Sequence, residues 1–326
     1  MRPYHPRVID DELDEFLPHV SAIALEGPKA VGKTATAERR VTRVVHLDDP
    51  AERAIAAADP GLAVRVDVPV LFDEWQYVPP VWNAVRRAVD AGAPAGRYLL
   101  AGSAIPPEDA DIHSGAGRIL SLRLRPFALA ERDLGAPTVS LRVLLSGARA
   151  PVEGASALDL DAYVQEIVAS GFPGLRTQPE RVRSAALESY LTRVVDRDFL
   201  DQGHRVRRPD ALRRWMAAYA AATGATTTLE KIRDAATSGE GETPAKTTTI
   251  MYRDVLKRLY LIDPVEGWLP TRNPLRKLTE APKHHLADPA LAARLLGLTA
   301  TALLRGEGPR GAHLRHGTFL GQLFES

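Results

Sequence analysis

Short apolar runs alternate with amphipathic stretches through the first 135 residues of the chain. Residues 20–26 (VSAIALE), 44–47, 68–72 and 98–101 are runs of strand length, each closed by Gly, Asp or Ser. Between them, residues 34–40, 51–58 and 81–91 read as helices. The last of these places Val81, Val85, Ala88 and Val89 on one face. Residues 119–124 (ILSLRL) alternate as a half-buried strand does. Strands separated by helices predict βαβ units, hence an α/β domain with a mostly parallel sheet flanked by helices.

The pattern changes after residue 135. Residues 135–154 are rich in Gly, Ala and Pro, with one short amphipathic helix among them. From Asp159 onward the periodicity is helical: residues 161–170, a break at GFPG (171–174), then 183–200. A helix over 209–222 carries Leu212, Trp215, Met216 and Tyr219 at core spacing, and a further pair covers 228–236 and 247–260. The expected organisation is an α/β domain over 1–135, a linker over 136–158 and a mainly helical domain over 159–326.

Composition narrows the classes. Of 326 residues, 45% are hydrophobic and 25% charged, as in ordinary globular proteins, and the net charge of +1 carries no field that argues for nucleic acid or membrane. There is no cysteine, which excludes disulfides and Cys-based zinc or nucleophile chemistry and fits a cytoplasmic location. The start, MRPYHPRVID, is not a signal peptide, and no apolar run approaches the ~18 residues of a membrane span. His284 and His285 are adjacent, so in regular structure their rings diverge, and no zinc site is expected.

The candidate chemistry sits at the end of the first run. GPKAVGKT (residues 27–34) matches G-x-x-x-x-G-K-[ST] between a strand and a helix start. In such a P-loop, glycines let successive N–H groups face phosphate oxygens, and the next helix aims its positive end at the same place. Gly27, Pro28, Lys29, Ala30, Val31, Gly32, Lys33, Thr34 and Ala35 are therefore expected to cradle ATP or another nucleoside triphosphate, with Lys33 on the β and γ phosphates and Thr34 on Mg²⁺. The run VPVLFDE ends in two acids: Asp73 is expected to hold Mg²⁺ through water and Glu74 to polarise the attacking water. Ser103, after YLLAG, either senses the γ phosphate or caps the strand. Arg118, ending HSGAGR, is either an arginine finger, in cis or from a neighbouring subunit, or a solvated loop residue. Gln76 is a further candidate for positioning water, and His113 a weaker catalytic candidate.

YHPRVID, ALEGPKAVGKT, LFDEWQYVPPVWNAVRRAVD, LLAGSA, HSGAGRI and LRLRPFAL together resemble the bacterial and archaeal ATPases of the AAA superfamily that carry a C-terminal domain of unknown function. EIVASGFPGLR, the surroundings of SYLTRVVDRDF, KHHLADPALAARLLG and HGTFLGQLFES resemble the start of that domain. The resemblance implies a P-loop ATPase core, a winged-helix-like part at about 210–272, and a nuclease-like fold that this sequence stops short of, as a shortened or naturally brief member.

Within the winged-helix-like part, Thr247, Thr248, Thr249, Arg253, Lys257 and Arg258 are candidates to meet a duplex, whereas Met251, Val255 and Leu259 would form an inner stripe. Three functions stay open. One is Mg-dependent ATP binding and slow hydrolysis that switches the C-terminal domain, with a protein partner or self-association supplying an arginine. The second is an ATP-regulated DNA-binding or defence-type protein, and the third a P-loop small-molecule kinase.

Overall fold

The computed structural model describes residues 4–106, 112–135, 138–237, 244–266, 281–307 and 317–325. Five strands form one sheet: β1 (Ala22–Glu26), β2 (Arg43–His46), β3 (Val70–Asp73), β4 (Tyr98–Gly102) and β5 (Leu120–Arg123). Their order is β2-β3-β4-β1-β5, and every neighbouring pair is parallel. The three central strands are apolar on both faces, as a sheet covered on both sides requires. β4 is inserted between β1 and β3, so the ends of all three point at one edge of the sheet. Asp73, Glu74 and Ser103 stand at that edge, with the loop that carries Lys33 and Thr34.

On one face, Ala24, Phe72 and Leu100 pack with Trp75, Val81, Trp82 and Val85 of the segment that runs into α5 (Pro80–Asp90). Also covering the domain are α3 (Pro50–Ala58) and α4 (Pro60–Ala63). Asp49 caps α3 by accepting from Ala51 and Glu52 N–H, with Pro50 at its first turn. On the other face, Ile23, Leu25, Leu71 and Leu99 join Ile9 and Leu13 of α1 (Val8–Phe16) and Ala37 of α2 (Lys33–Glu38). That cluster continues without a break into Phe172, Leu187, Val194, Phe199, Leu212 and Trp215 of the second half.

The second half is helical: α6 (Leu141–Leu145), α7 (Leu160–Ala169), α8 (Pro173–Arg176), α9 (Glu180–Arg193), α10 (Phe199–Asp201), α11 (Pro209–Ala221), α12 (Leu229–Ala235), α13 (Lys246–Arg258), α14 (Pro289–Leu295), α15 (Ala300–Arg305) and α16 (Gly317–Glu325). The linker helix α6 buries no residue, and Leu141 and Leu145 stand exposed. The helix expected over 183–200 is divided: a π-helical turn, Val194–Asp198, separates α9 from α10. Between α11 and α12, Gly224 N–H donates to His284 O (2.8 Å) and His284 N–H to Ala225 O (3.0 Å). After α13, Asp263 N–H donates to His285 O and Ala287 N–H to Leu261 O, both 2.9 Å, in antiparallel pairing. Residues 238–243 and 267–272 of the expected winged-helix-like span lie outside the described residues. His284 is a bonded core residue, with Nε2 2.7 Å from Thr227 O and Nδ1 3.3 Å from the Tyr219 hydroxyl. Among the described residues, no helix is long and apolar enough to cross a membrane.

Candidate functional site

The loop from Gly27 to Thr34 leaves β1 and enters α2. A Cβ on Gly27 would stand 2.1 Å from Leu124 O, so only glycine lets the loop pass β5 there. Gly32, at φ +99°, opens α2. Lys33, only 4% exposed, folds its Nζ onto Gly27 O (3.0 Å) and Pro28 O (2.9 Å). Burial pushes the Lys33 ammonium down to about 8, opposed by the charges of Glu74 and Asp73.

The loop is braced from outside the motif. Arg7, which precedes α1, donates from Nη1 to Val31 O (2.9 Å) and from Nη2 to Arg125 O (2.6 Å). Its Nε donates to Glu131 Oε1 (3.1 Å), and both side chains are buried. Glu131 also accepts from Val8 N–H (2.6 Å) and Ala128 N–H (2.7 Å). Tyr4 adds a hydroxyl 3.2 Å from Thr36 Oγ1 and 2.9 Å from the Asp10 carboxylate.

Thr34 Oγ1 donates to Asp73 Oδ1 and Oδ2 at 3.0 and 2.9 Å. Burial raises the Asp73 carboxyl above its ordinary range, against the Thr34 hydrogen bond. His46 pairs with Asp73 across β2 and β3, its Nδ1 3.7 Å from Oδ2. A buried carboxylate beside a hydroxyl is a hard-oxygen donor set that fits Mg²⁺ completed by water and phosphate. Among the described residues, no group of three or more His, Asp or Glu could hold a metal by itself.

Glu74 follows β3 in the left-handed region (φ 53°, ψ 45°), a costly conformation for this residue, and turns its carboxylate toward β4. Oε2 accepts from Ser103 Oγ (2.6 Å) and from Gln76 Nε2. Gln76 Nε2 also reaches Ser103 Oγ (3.1 Å), while its buried Oε1 has no partner. Ser103 is itself fully buried. Glu74, Gln76 and Ser103 thus form one polar cluster beside Asp73.

Lys33, Thr34, Asp73, Glu74 and Ser103 therefore converge at one edge of the sheet, but Arg118 does not join them. It precedes β5, which begins beside Ile23 near the start of β1, so it lies at the opposite edge. There its Nε donates to Asp90 Oδ1 (2.8 Å) at the end of α5. An arginine finger from Arg118 in cis is excluded by that placement. His113 lies in the same remote loop, its carbonyl accepting from Trp82 Nε1 at 2.8 Å. Thr249 is buried on α13, donating to Lys246 O, so it faces no duplex.

Arg7, His46 and Asp198 are neighbours of the site that sequence reasoning missed. The Asp198 carboxylate, at the end of the π turn, accepts from Lys29 Nζ at 2.7 Å. A second contact ties the site edge to the helical half: Ile105 N–H, two residues past Ser103, donates to Arg258 O at the end of α13 (3.0 Å).

Residues 19–132 match the family model described as AAA domain, and residues 160–302 match one described as a domain of unknown function (DUF8612). Uncharacterized proteins of Mycobacterium tuberculosis and Mycobacterium bovis are each 26% identical over 313 residues, covering 92% of this chain and 62% of their own length. The chain thus spans about three fifths of the curated relatives it matches. Among solved structures, a Walker-type ATPase of Pyrococcus abyssi is 14% identical with a TM-score of 0.49, covering 88% of this chain and 94% of that one.

Proposed function

We propose that the chain, whose residues 19–132 match an AAA domain and residues 160–302 a domain of unknown function, binds Mg-ATP, hydrolyses it slowly, and uses the nucleotide state to switch its C-terminal half. The observation that carries this reading is the convergence of the Lys33 loop, the Thr34–Asp73 pair and the Glu74–Ser103 pair at the ends of β1, β3 and β4.

The N–H groups of the loop and the start of α2 bind the phosphates, and Lys33 moves from the loop carbonyls to the β and γ oxygens. Thr34 and Asp73 would hold Mg²⁺, which would offset phosphate charge. Glu74 accepts a proton from water as the water oxygen bonds to the γ phosphorus. The bond to the β–γ bridging oxygen breaks, and its electron pair stays with ADP. For this, Glu74 must turn away from Ser103 and Gln76, which is one reason to expect slow turnover. In this reading Ser103, once released from Glu74, turns to the γ phosphate. The carboxylate beside Asp73 favours water as acceptor over the small-molecule substrate of a kinase. Arg118 is left to act on the site of a second copy, so self-association is the route by which it would serve as a finger.

A second reading has its own support. α11, the Thr223 to Ala225 segment, α12, α13 and the antiparallel pair after it follow each other as in a winged helix, with Lys246, Thr247 and Lys257 exposed on α13. ATP-regulated DNA binding through α13 predicts affinity that falls with salt, with a shallower slope in Lys257→Ala.

The deciding experiment compares Mg-ATP binding and turnover in the wild type, Lys33→Ala and Glu74→Gln. The expected result is lost binding in Lys33→Ala, and retained binding with turnover lowered roughly 10²–10⁴-fold in Glu74→Gln. Wild type that binds no nucleotide refutes the reading, and full turnover in Glu74→Gln refutes the role given to Glu74.

A further inference from the structure

Lys29 stands at the third position of the phosphate loop, and its ammonium is engaged by a residue from the other half of the chain. Nζ lies 2.7 Å from Asp198 Oδ1, with the Lys29 side chain 40% exposed and that of Asp198 10%. Asp198 closes the π-helical turn that interrupts α9 and α10, a device found often at functional sites. Burial would lower the Lys29 ammonium, but Asp198 outweighs it and the net shift is upward.

Other cationic groups around the loop already have a role. Lys33 donates to two loop carbonyls and, in the reading above, turns to the β and γ oxygens, while Arg7 holds Glu131, Val31 O and Arg125 O. Arg118 is at the far edge of the sheet. Lys29 is the remaining loop cation, on a long flexible stem and bonded to a single carboxylate. A triphosphate in the loop brings several negative charges to within reach of Lys29 and repels the Asp198 carboxylate. ADP brings fewer, and none at the γ position.

Resting on the nucleotide reading above, we propose that Lys29 exchanges Asp198 for the γ-phosphate oxygens of bound ATP. It thereby acts as the in-chain cation that stabilises charge during transfer, and releases the π turn of the helical half. Asp198 is a positioning residue: it acts on the reaction through Lys29, and it makes the C-terminal half sensitive to the γ phosphate in particular.

The test measures Mg-ATP and Mg-ADP affinity and single-turnover rates in the wild type, Asp198→Asn, Lys29→Ala, Lys29→Arg and the double variant Lys29→Ala with Asp198→Asn. Removing the competing carboxylate should tighten ATP binding roughly tenfold while leaving ADP within about twofold. Lys29→Ala should slow turnover by roughly tenfold or more and narrow the preference for ATP over ADP, with Lys29→Arg restoring most of both. In the double variant the effect of Asp198→Asn should vanish. A merely structural ion pair would move melting temperature and leave the ATP-to-ADP ratio unchanged. That result, or additive effects in the double variant, overturns the inference. If Asp198→Asn does not fold, the ratio in Lys29→Ala decides alone. Wild type that neither binds nor hydrolyses ATP refutes the underlying reading instead.

Discussion

Truncating Glu131 to alanine removes the counter-charge of a guanidinium that has almost no access to water. The Arg7 side chain is 3% exposed and that of Glu131 7%. Breaking a buried pair on one side costs about 3–5 kcal/mol, because the surviving charge stays desolvated. Here the lower end applies, since Arg7 keeps the Val31 and Arg125 carbonyls. Val8 N–H and Ala128 N–H also lose their acceptor, at about 1 kcal/mol together, since both bonds are part-buried and water takes over some of the loss. The total is about 4 kcal/mol, against about 5–15 kcal/mol for a whole domain. At about 2 °C per kcal/mol for a chain of this size, melting should fall by roughly 8 °C. Thermal melts followed by circular dichroism read the loss. Because Arg7 also braces Val31 O in the phosphate loop, calorimetry should show weaker Mg-ATP binding in the same variant. A double variant, Arg7→Met with Glu131→Leu, should recover the part due to the uncompensated guanidinium, since apolar replacement of a buried pair is often neutral, while Val8 and Ala128 N–H stay without their acceptor. A loss below about 1 kcal/mol in Glu131→Ala would refute the idea that this pair holds the loop from behind.

Two more outcomes follow from the packing of the halves. A Cβ at Gly171 would stand 2.8 Å from Phe127 O and 2.9 Å from Phe127 N, so Gly171→Ala should cost about 2 kcal/mol by overpacking and melt several degrees lower. Gly174→Ala meets nothing within 4 Å and serves as the control; equal losses in both would refute the argument. Glu166 is pushed up by burial, but Arg176 and Arg132 outweigh this and hold its carboxyl below the ordinary glutamate range. The stability it contributes is therefore present above about pH 4.3, its unfolded value, and is lost as pH falls through the lower folded value. The stability gap between wild type and Glu166→Gln should be steady from neutrality to about pH 5 and should close at lower pH; a gap that persists in acid contradicts the ion-pair account.

The parts of the site that were legible in advance are local in the chain. GPKAVGKT and LFDE carry their geometry in consecutive residues, and apolar runs told which strands are covered on both faces. What escaped depends on distant partners. Arg7 meets Glu131 124 residues away and Lys29 meets Asp198 169 residues away, and neither pair has a spacing rule. The π turn escaped because residues 183–200 keep one helical periodicity in the sequence, while the extra backbone residue is a tertiary matter. Arg118 stays open between a finger and a solvated loop residue in the sequence, because a glycine-rich loop with an arginine looks the same at either end of a strand. Only the parallel register of β5 with β1 decides which edge it joins.

The core that runs unbroken from Ile23 and Leu99 to Phe172, Leu187 and Phe199 has a consequence for biosynthesis. At about 5–20 residues per second, roughly 10–40 s separate the emergence of residue 135 from that of residue 323. During that interval the nascent sheet lacks the aromatic and aliphatic groups that complete its cluster. The earlier half therefore keeps apolar surface exposed on one face, and its packing is completed only when the later half has emerged.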